Sequence, residues 1–415
     1  TRSVLVIGAG AAGVAAAWSA LRRGVKVTLV SRGAGASLLG GGAVDDVPWD
    51  RLARAAKQLG ADLVAGEVDA DVLEFSSALG LWELPSSGAS RPRLATLAGI
   101  VRSSRGYDRA LLNLDLLRST SVLLPRADRA NWDADAIAAG LSADPFARVR
   151  ELRFAAVDAP ALRFVDEARI PDADLAARHD DEARLGWLGD RLREAVVVAT
   201  ADGARVGGVL LGPWLGVRAP RAEDLSARLG LPVGEALMGV GSPAGHRFAF
   251  ARDRLLESLG VKVVSARVLS ASFTDDRARV TLEGDATPLE ADAMILATGG
   301  LVGGGVVYAP PDSKAGADLP PRAGVPFALS LRADVTYGGR SGALGVTSSL
   351  HGPELDGCAW PMGDRPGVLE DVGIVCRGSV ARPGIFAAGD VVAARPRTLL
   401  EAVASGIRAG REFAG

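Results

Sequence analysis

Cysteine is almost missing from this chain. Its 415 residues contain two, Cys358 and Cys376. They lack CxxC spacing and are too few for an iron–sulfur cluster or a disulfide framework, so a reducing compartment is expected. Charge of one sign is missing too: the formal net charge is −2. With a pI near 6.0, the chain has no electrostatic footprint for nucleic acid or an anionic membrane surface. No uncharged apolar run approaches the ~18 residues of a membrane span. The first residues lack the basic-then-apolar pattern of a secretory signal, so a cytoplasmic protein without a direct membrane span is expected. No Ser-His-Asp constellation, metal-ligand cluster or P-loop is visible, which disfavours hydrolysis, zinc chemistry and ATP use; no metal site is expected. The sequence also has no repeat in the ~20–50-residue range, which excludes solenoids and propellers.

What is present is the balance of an ordinary globular enzyme, 48% hydrophobic and 23% charged, on a chain long enough for two interleaved domains. Glycine is the outlier at 52 residues, and it comes in clusters, the pattern of backbone passing close to a ligand. The run Ser3–Ile7, the glycines after it, an alanine-rich stretch to about Arg23 and a second apolar run over Val25–Val30 read as one βαβ unit. A glycine-dense loop (33–46) and a helical stretch from about Trp49 to Leu59 follow. From about 75 to 235 the pattern is irregular, and VVVATADGARVGGVLL reads as two strands around a turn. A helix over Gly245–Gly260 then leads to VKVV, RARVTLE and AMILATGG as strands, and a last helix spans Leu399–Phe413. The expected architecture is α/β: a Rossmann-type domain assembled from 1–75, 236–320 and 376–415, with a mixed α+β cap or substrate domain inserted over 76–235 and 321–375.

The chemistry is concentrated in three motifs. Gly8-x-Gly10-x-x-Gly13 lies directly after a strand and opens a helix. The first glycine allows the tight turn, the second lets the backbone approach a pyrophosphate, and the third lets helix and strand pack closely, with Ala11 and Ala12 offering N–H groups to the phosphates. About 20 positions on, an acid is expected to hold the ribose, but Ser31 stands there. Arg32 beside it serves equally as a ribose or adenine contact or as a solvated loop residue. Thr298-Gly299 ends the AMIL strand, and Gly389-Asp390 ends the IFAA strand ahead of a helix. A carboxylate there accepts hydrogen bonds from the ribityl side of a flavin, although helix capping alone also accounts for it. In this order and spacing the three motifs indicate a flavoprotein holding FAD, with FMN the alternative. Gly41 and Gly42 of the glycine loop join the cofactor-binding set.

VIGAGAAG, ASLLGGGAVD, SPAGHRF, ATGGLVGGGVV and PGIFAAGDVV together resemble the B subunit of anaerobic glycerol-3-phosphate dehydrogenase over most of the chain, including a Ser with Arg in place of the ribose acid. The resemblance implies oxidation of sn-glycerol 3-phosphate, a small anionic hydroxylated metabolite, to dihydroxyacetone phosphate. It further implies electrons passed to quinone through A and C subunits, and a peripheral position on the inner face of the cell membrane through those partners. The chain departs from the family after Gly-Asp, where ARPRTLLEAVASGIRAG replaces a loop rich in Gly and Cys and brings Arg395, Arg397 and Glu401.

Such a reaction needs a base for the hydroxyl proton and an arginine for the anion. His246 and His351 are the candidate bases, each equally suited to a structural role, and Arg247 is the candidate anion grip. His179, in an acidic run, reads as a surface residue. Two other functions stay open: a non-catalytic flavin-binding subunit that relays electrons, and a fumarate-reductase-like flavoprotein acting on another substrate.

Overall fold

The computed structural model describes residues 2–33, 35–48, 64–285, 287–309, 328–341, 344–347 and 368–415. The chain opens with β1 (Ser3–Ile7), α1 (Ala11–Leu21) and β2 (Lys26–Ser31), the expected βαβ unit. The helix expected over Trp49–Leu59 lies outside the described residues, as do His351, Cys358 and most of 321–375.

The insertion builds a sheet of its own. Its strands are β3 (Thr120–Pro125), β4 (Leu152–Val157), β5 (Val206–Leu211) and β6 (Val233–Glu235). They run in spatial order β6-β5-β3-β4, every pair parallel. Parallel neighbours need crossovers. The helices Ala134–Ala143, Glu182–Ala201 and Ala222–Leu229 supply them.

One expected strand is wrong. Val196–Val198 end the long helix Glu182–Ala201, with only VGGVLL forming a strand. The helix is fixed at its start by Asp181, which caps the Arg184 N–H, and by a buried stripe of Leu185, Leu188 and Leu192. That 3.6-residue period overrides the strand preference of three consecutive valines; Val197 and Val198 stay exposed.

The chain returns to the first body through α2 (Pro243–Ser258) and β7 (Lys262–Ser265). Ser242 caps the Ala244 N–H, and Pro243 occupies the first turn, so this helix starts where its cap and proline dictate. A hairpin, β8 (Val268–Thr274) with β9 (Arg277–Leu282), precedes β10 (Ala293–Leu296). The chain ends with β11 (Val380–Arg382), β12 (Ile385–Ala387) and α3 (Leu399–Ala414). The main sheet runs β7-β2-β1-β10-β12-β11, parallel except at the β11 edge. This is the doubly wound Rossmann-type arrangement. Its strand order reverses beside β1, and ligands of such sheets sit at the carboxyl ends of the strands around that switch point.

Small residues bring α1 and α3 together. A Cβ on Gly406 would lie 2.1 Å from the Ala12 carbonyl oxygen, and one on Gly410 would lie 2.6 Å from that of Ala16. Ser19 Oγ donates to the Ile407 carbonyl at 2.9 Å. The alanine richness of α1 therefore serves backbone-to-backbone packing that holds the start of both helices against the strand ends. Among the described residues no helix is long and apolar enough to cross a membrane.

Candidate functional site

At the carboxyl ends of the main strands lies a cleft of about 610 Å³. Its near wall is the β1–α1 turn. Gly8 has φ +113°, and a Cβ there would sit 2.2 Å from the Ala297 carbonyl oxygen. A Cβ on Gly13 would lie 1.9 Å from the oxygen of Gly8 itself. No side chain fits at either place, so the turn folds tightly against α1 and leaves the helix start open. Gly10 is the helix N-cap and makes no side-chain cap. Ser37 Oγ accepts from the Ala11 N–H at 3.0 Å; Ala11 and Ala12 both line the cleft. A helix start of this kind carries partial positive charge and free donors, the environment a pyrophosphate needs.

The cleft runs from this centre in two directions. One arm ends at Ser31, Arg32 and Arg267. The Ser31 hydroxyl donates to the Gly33 carbonyl at 2.6 Å, and Arg32 is paired with Glu283 of the β8–β9 hairpin at 2.9 Å, both on the surface. The serine thus closes its own loop, and the arginine has a protein partner. The other arm passes Thr298 and Gly299 to Gly389 and Asp390 and the start of α3. Gly389 (φ +74°) donates its N–H to Ser405 Oγ at 2.8 Å. Burial pushes the Asp390 carboxyl above the usual carboxylate range, with Arg397 pulling it partly back from 4.0 Å. Thr398 caps α3 through the Glu401 N–H, and Arg397 is anchored by donating to the Val392 carbonyl at 2.9 Å.

The structure therefore brings Gly8, Gly10, Ala11, Ala12, Ser31, Arg32, Thr298, Gly299, Gly389 and Asp390 to one surface, with Gly13 packed directly beneath it. Gly41 and Gly42 are not part of that surface. A Cβ on Gly41 would meet the Met238 carbonyl at 1.9 Å, and Gly42 accepts from the Asp108 N–H at 2.7 Å; their neighbours Gly40 and Ala43 line the cleft instead. Sequence reasoning missed Arg267, Ser37 and the second glycine cluster Gly303–Gly305. Only the last left a signal, the triple glycine following ATGG.

The catalytic candidates are placed differently. His246 is exposed on α2 and does not line the cleft. Arg247 is a correction. It is completely buried, with Nε donating to Asp108 Oδ2 at 2.8 Å, Nη2 to Glu235 Oε2 at 2.7 Å and Nη1 to the Gly216 carbonyl at 2.7 Å. Burial works against its charge, but the two carboxylates outweigh it and hold the guanidinium protonated. It ties α2 to the inserted sheet and is not presented to an anion. His179 is also a correction: it has no exposed surface, and Nδ1 lies 2.9 Å from the Trp214 carbonyl. Burial, helped by Arg184, lowers its pKa to about 4. Burial likewise pushes the Cys376 thiol up to about 11, far from a reactive thiolate.

The cleft fits FAD: an extended groove with a phosphate-binding helix start at its centre, a ribose arm at the β2 end, and a second helix start facing the opposite arm. The family described as "Glucose inhibited division protein A" matches residues 3–53, the βαβ unit and the loop after it. No curated protein matches the chain. Among solved structures, FqzB is 14% identical over 75% of this chain and 42% of its own, with a TM-score of 0.24. CtdE in complex with FAD is 10% identical over 100% and 84%, with a TM-score of 0.30. Putrescine oxidase bound to putrescine is 14% identical over 99% and 98%, with a TM-score of 0.30. The match spans 42% of the FqzB chain in that structure and 75% of it in a second one.

Proposed function

We propose that this chain is a flavin-dependent oxidoreductase that holds FAD with its pyrophosphate at the start of α1 and its flavin toward Gly389, Asp390 and the start of α3. The observation that carries the reading is the single cleft that runs from Ser31 and Arg32 past the Gly8–Gly13 turn to the Gly389–Asp390 turn, because FMN with its phosphate at α1 would fill one arm, whereas FAD occupies both. Bound FAD supplies hydride acceptance. The chain's residues hold the phosphates, place the flavin and shape the space beside it.

For the substrate, the sequence resemblance supports sn-glycerol 3-phosphate, with dihydroxyacetone phosphate as product and quinone the final acceptor through A and C subunits. The burial of Arg247 removes one phosphate grip from that reading without touching the hydroxyl chemistry. A second reading, a FAD-holding subunit that relays electrons without a substrate of its own, is supported by one observation: among the described residues no histidine lines the cleft. Anaerobic addition of sn-glycerol 3-phosphate to the FAD-loaded protein separates the two. Bleaching of the visible band supports the dehydrogenase, and an unchanged spectrum supports the relay or a different substrate.

A further inference from the structure

A second cavity, about 480 Å³, adjoins the cleft; Ala43, Asp45, Thr96, Arg102, Leu237 and Met238 are among its walls. Ala43 lines both spaces, and the chain passes from Gly40 in the wall of one to Gly41 in the wall of the other. The cavity's position along the cleft is fixed by α3. The Leu400 N–H donates to the Asp45 carbonyl at 3.2 Å, so the Asp45 backbone rests on the helix start that closes the Gly389–Asp390 arm. The cavity therefore lies beside the flavin arm.

Its walls are apolar apart from three side chains. The Thr96 hydroxyl is spent within its own loop, donating to the Ile100 carbonyl at 2.9 Å and accepting its N–H at 3.3 Å. Arg102 Nη2 donates to Asp45 Oδ2 at 2.5 Å. Asp45 Oδ1 is shielded from water and has no hydrogen-bond partner. The adjacent Asp46 shows what saturation looks like here, since Arg91 reaches Oδ1 at 3.0 Å and Oδ2 at 2.7 Å. Buried carboxylate oxygens are normally satisfied, and one left without a donor is costly. Asp45 is a wall residue of the cavity, and binding there requires the carboxylate to turn that oxygen from its buried place toward the ligand. A carboxylate oxygen can only accept, so the group it holds there is a donor such as an alcohol O–H.

We propose that this cavity is the substrate pocket of the flavin site, and that the Asp45 carboxylate anchors a small alcohol by accepting its O–H. The assignment rests on the flavin reading above for its place beside the cofactor, while the pocket's occupancy is a separate observable. Propane-1,2-diol is the probe. FAD-loaded crystals are soaked in it, and its binding in solution is followed by ligand-observed NMR with wild type, Asp45→Ala and Asp45→Asn. FAD content is read independently from the visible spectrum, so failure of the flavin reading is distinguished from failure of the pocket. The expected result is a diol hydroxyl within hydrogen-bond distance of Asp45. Both variants should then bind about tenfold more weakly or worse, as loss of a hydrogen bond to a charged group implies, with FAD and fold retained. Two variants guard against one that fails to fold. Diol absent from the cavity, diol held there without touching Asp45, or undiminished binding in a folded variant overturns the proposal.

Discussion

Arg247 and Glu235 face each other at 2.7 Å with no water reaching either side chain. The pair joins the last strand of the inserted sheet to the helix that re-enters the dinucleotide fold, and Asp108 completes it from a third segment. Replacing Arg247 by Leu leaves two buried carboxylates without a counter-charge. The expected loss is about 3–5 kcal/mol of stability, read as a lowered denaturation midpoint. A loss in substrate affinity with stability unchanged would instead return the anion-binding role to Arg247.

His179 gives the chain an acid-sensitive term. The unfolded histidine titrates near 6.5 and the native one near 4, so between those values the unfolded state binds a proton that the native state refuses. Stability is therefore level above pH 6.5 with respect to this group and falls as pH drops toward 4, by on the order of 3 kcal/mol. Denaturation midpoints of wild type and His179→Gln across pH 4–7 check this: the variant should lose most of that slope.

Gly13→Val should strip the cofactor without unfolding the inserted sheet. Its Cβ would fall 1.9 Å from the Gly8 carbonyl oxygen, and overpacking of about 1–3 kcal/mol at the phosphate turn corresponds to roughly 5- to 150-fold weaker FAD binding. Fluorescence titration of the apoprotein with FAD measures it.

Arg32→Ala should change FAD affinity little, by about threefold at most, because Arg32 is exposed and already paired with Glu283. A loss of about tenfold in the same titration would mean that the arginine leaves Glu283 for the cofactor.

The parts of the site that could be read in advance are those set by local rules. Gly8, Gly10 and Gly13 sit at fixed offsets from a strand and a helix, and Gly389–Asp390 follows its strand directly. What could not be read depends on distant partners. Arg247 looks like a free cation at a helix start, but one of its two carboxylate partners, Asp108, is 139 positions away, and the other, Glu235, is reached only because the chain folds back from a strand. His179 sits among acids, which suggests a surface. Those acids are in fact occupied: Asp181 caps a helix, and Asp180 accepts from the Val217 N–H at 3.3 Å. The ring is left facing inward. In the insertion, a strand such as Val233–Glu235 is too short to show a period, which is why its parallel sheet was invisible.

The most direct test of the central claim is the visible absorption spectrum of the purified protein after reconstitution with FAD and removal of free cofactor, with the released flavin identified by mass. A stoichiometric flavin spectrum with FAD as the released species is the predicted result. Protein that retains no flavin after reconstitution, while folded, would contradict it.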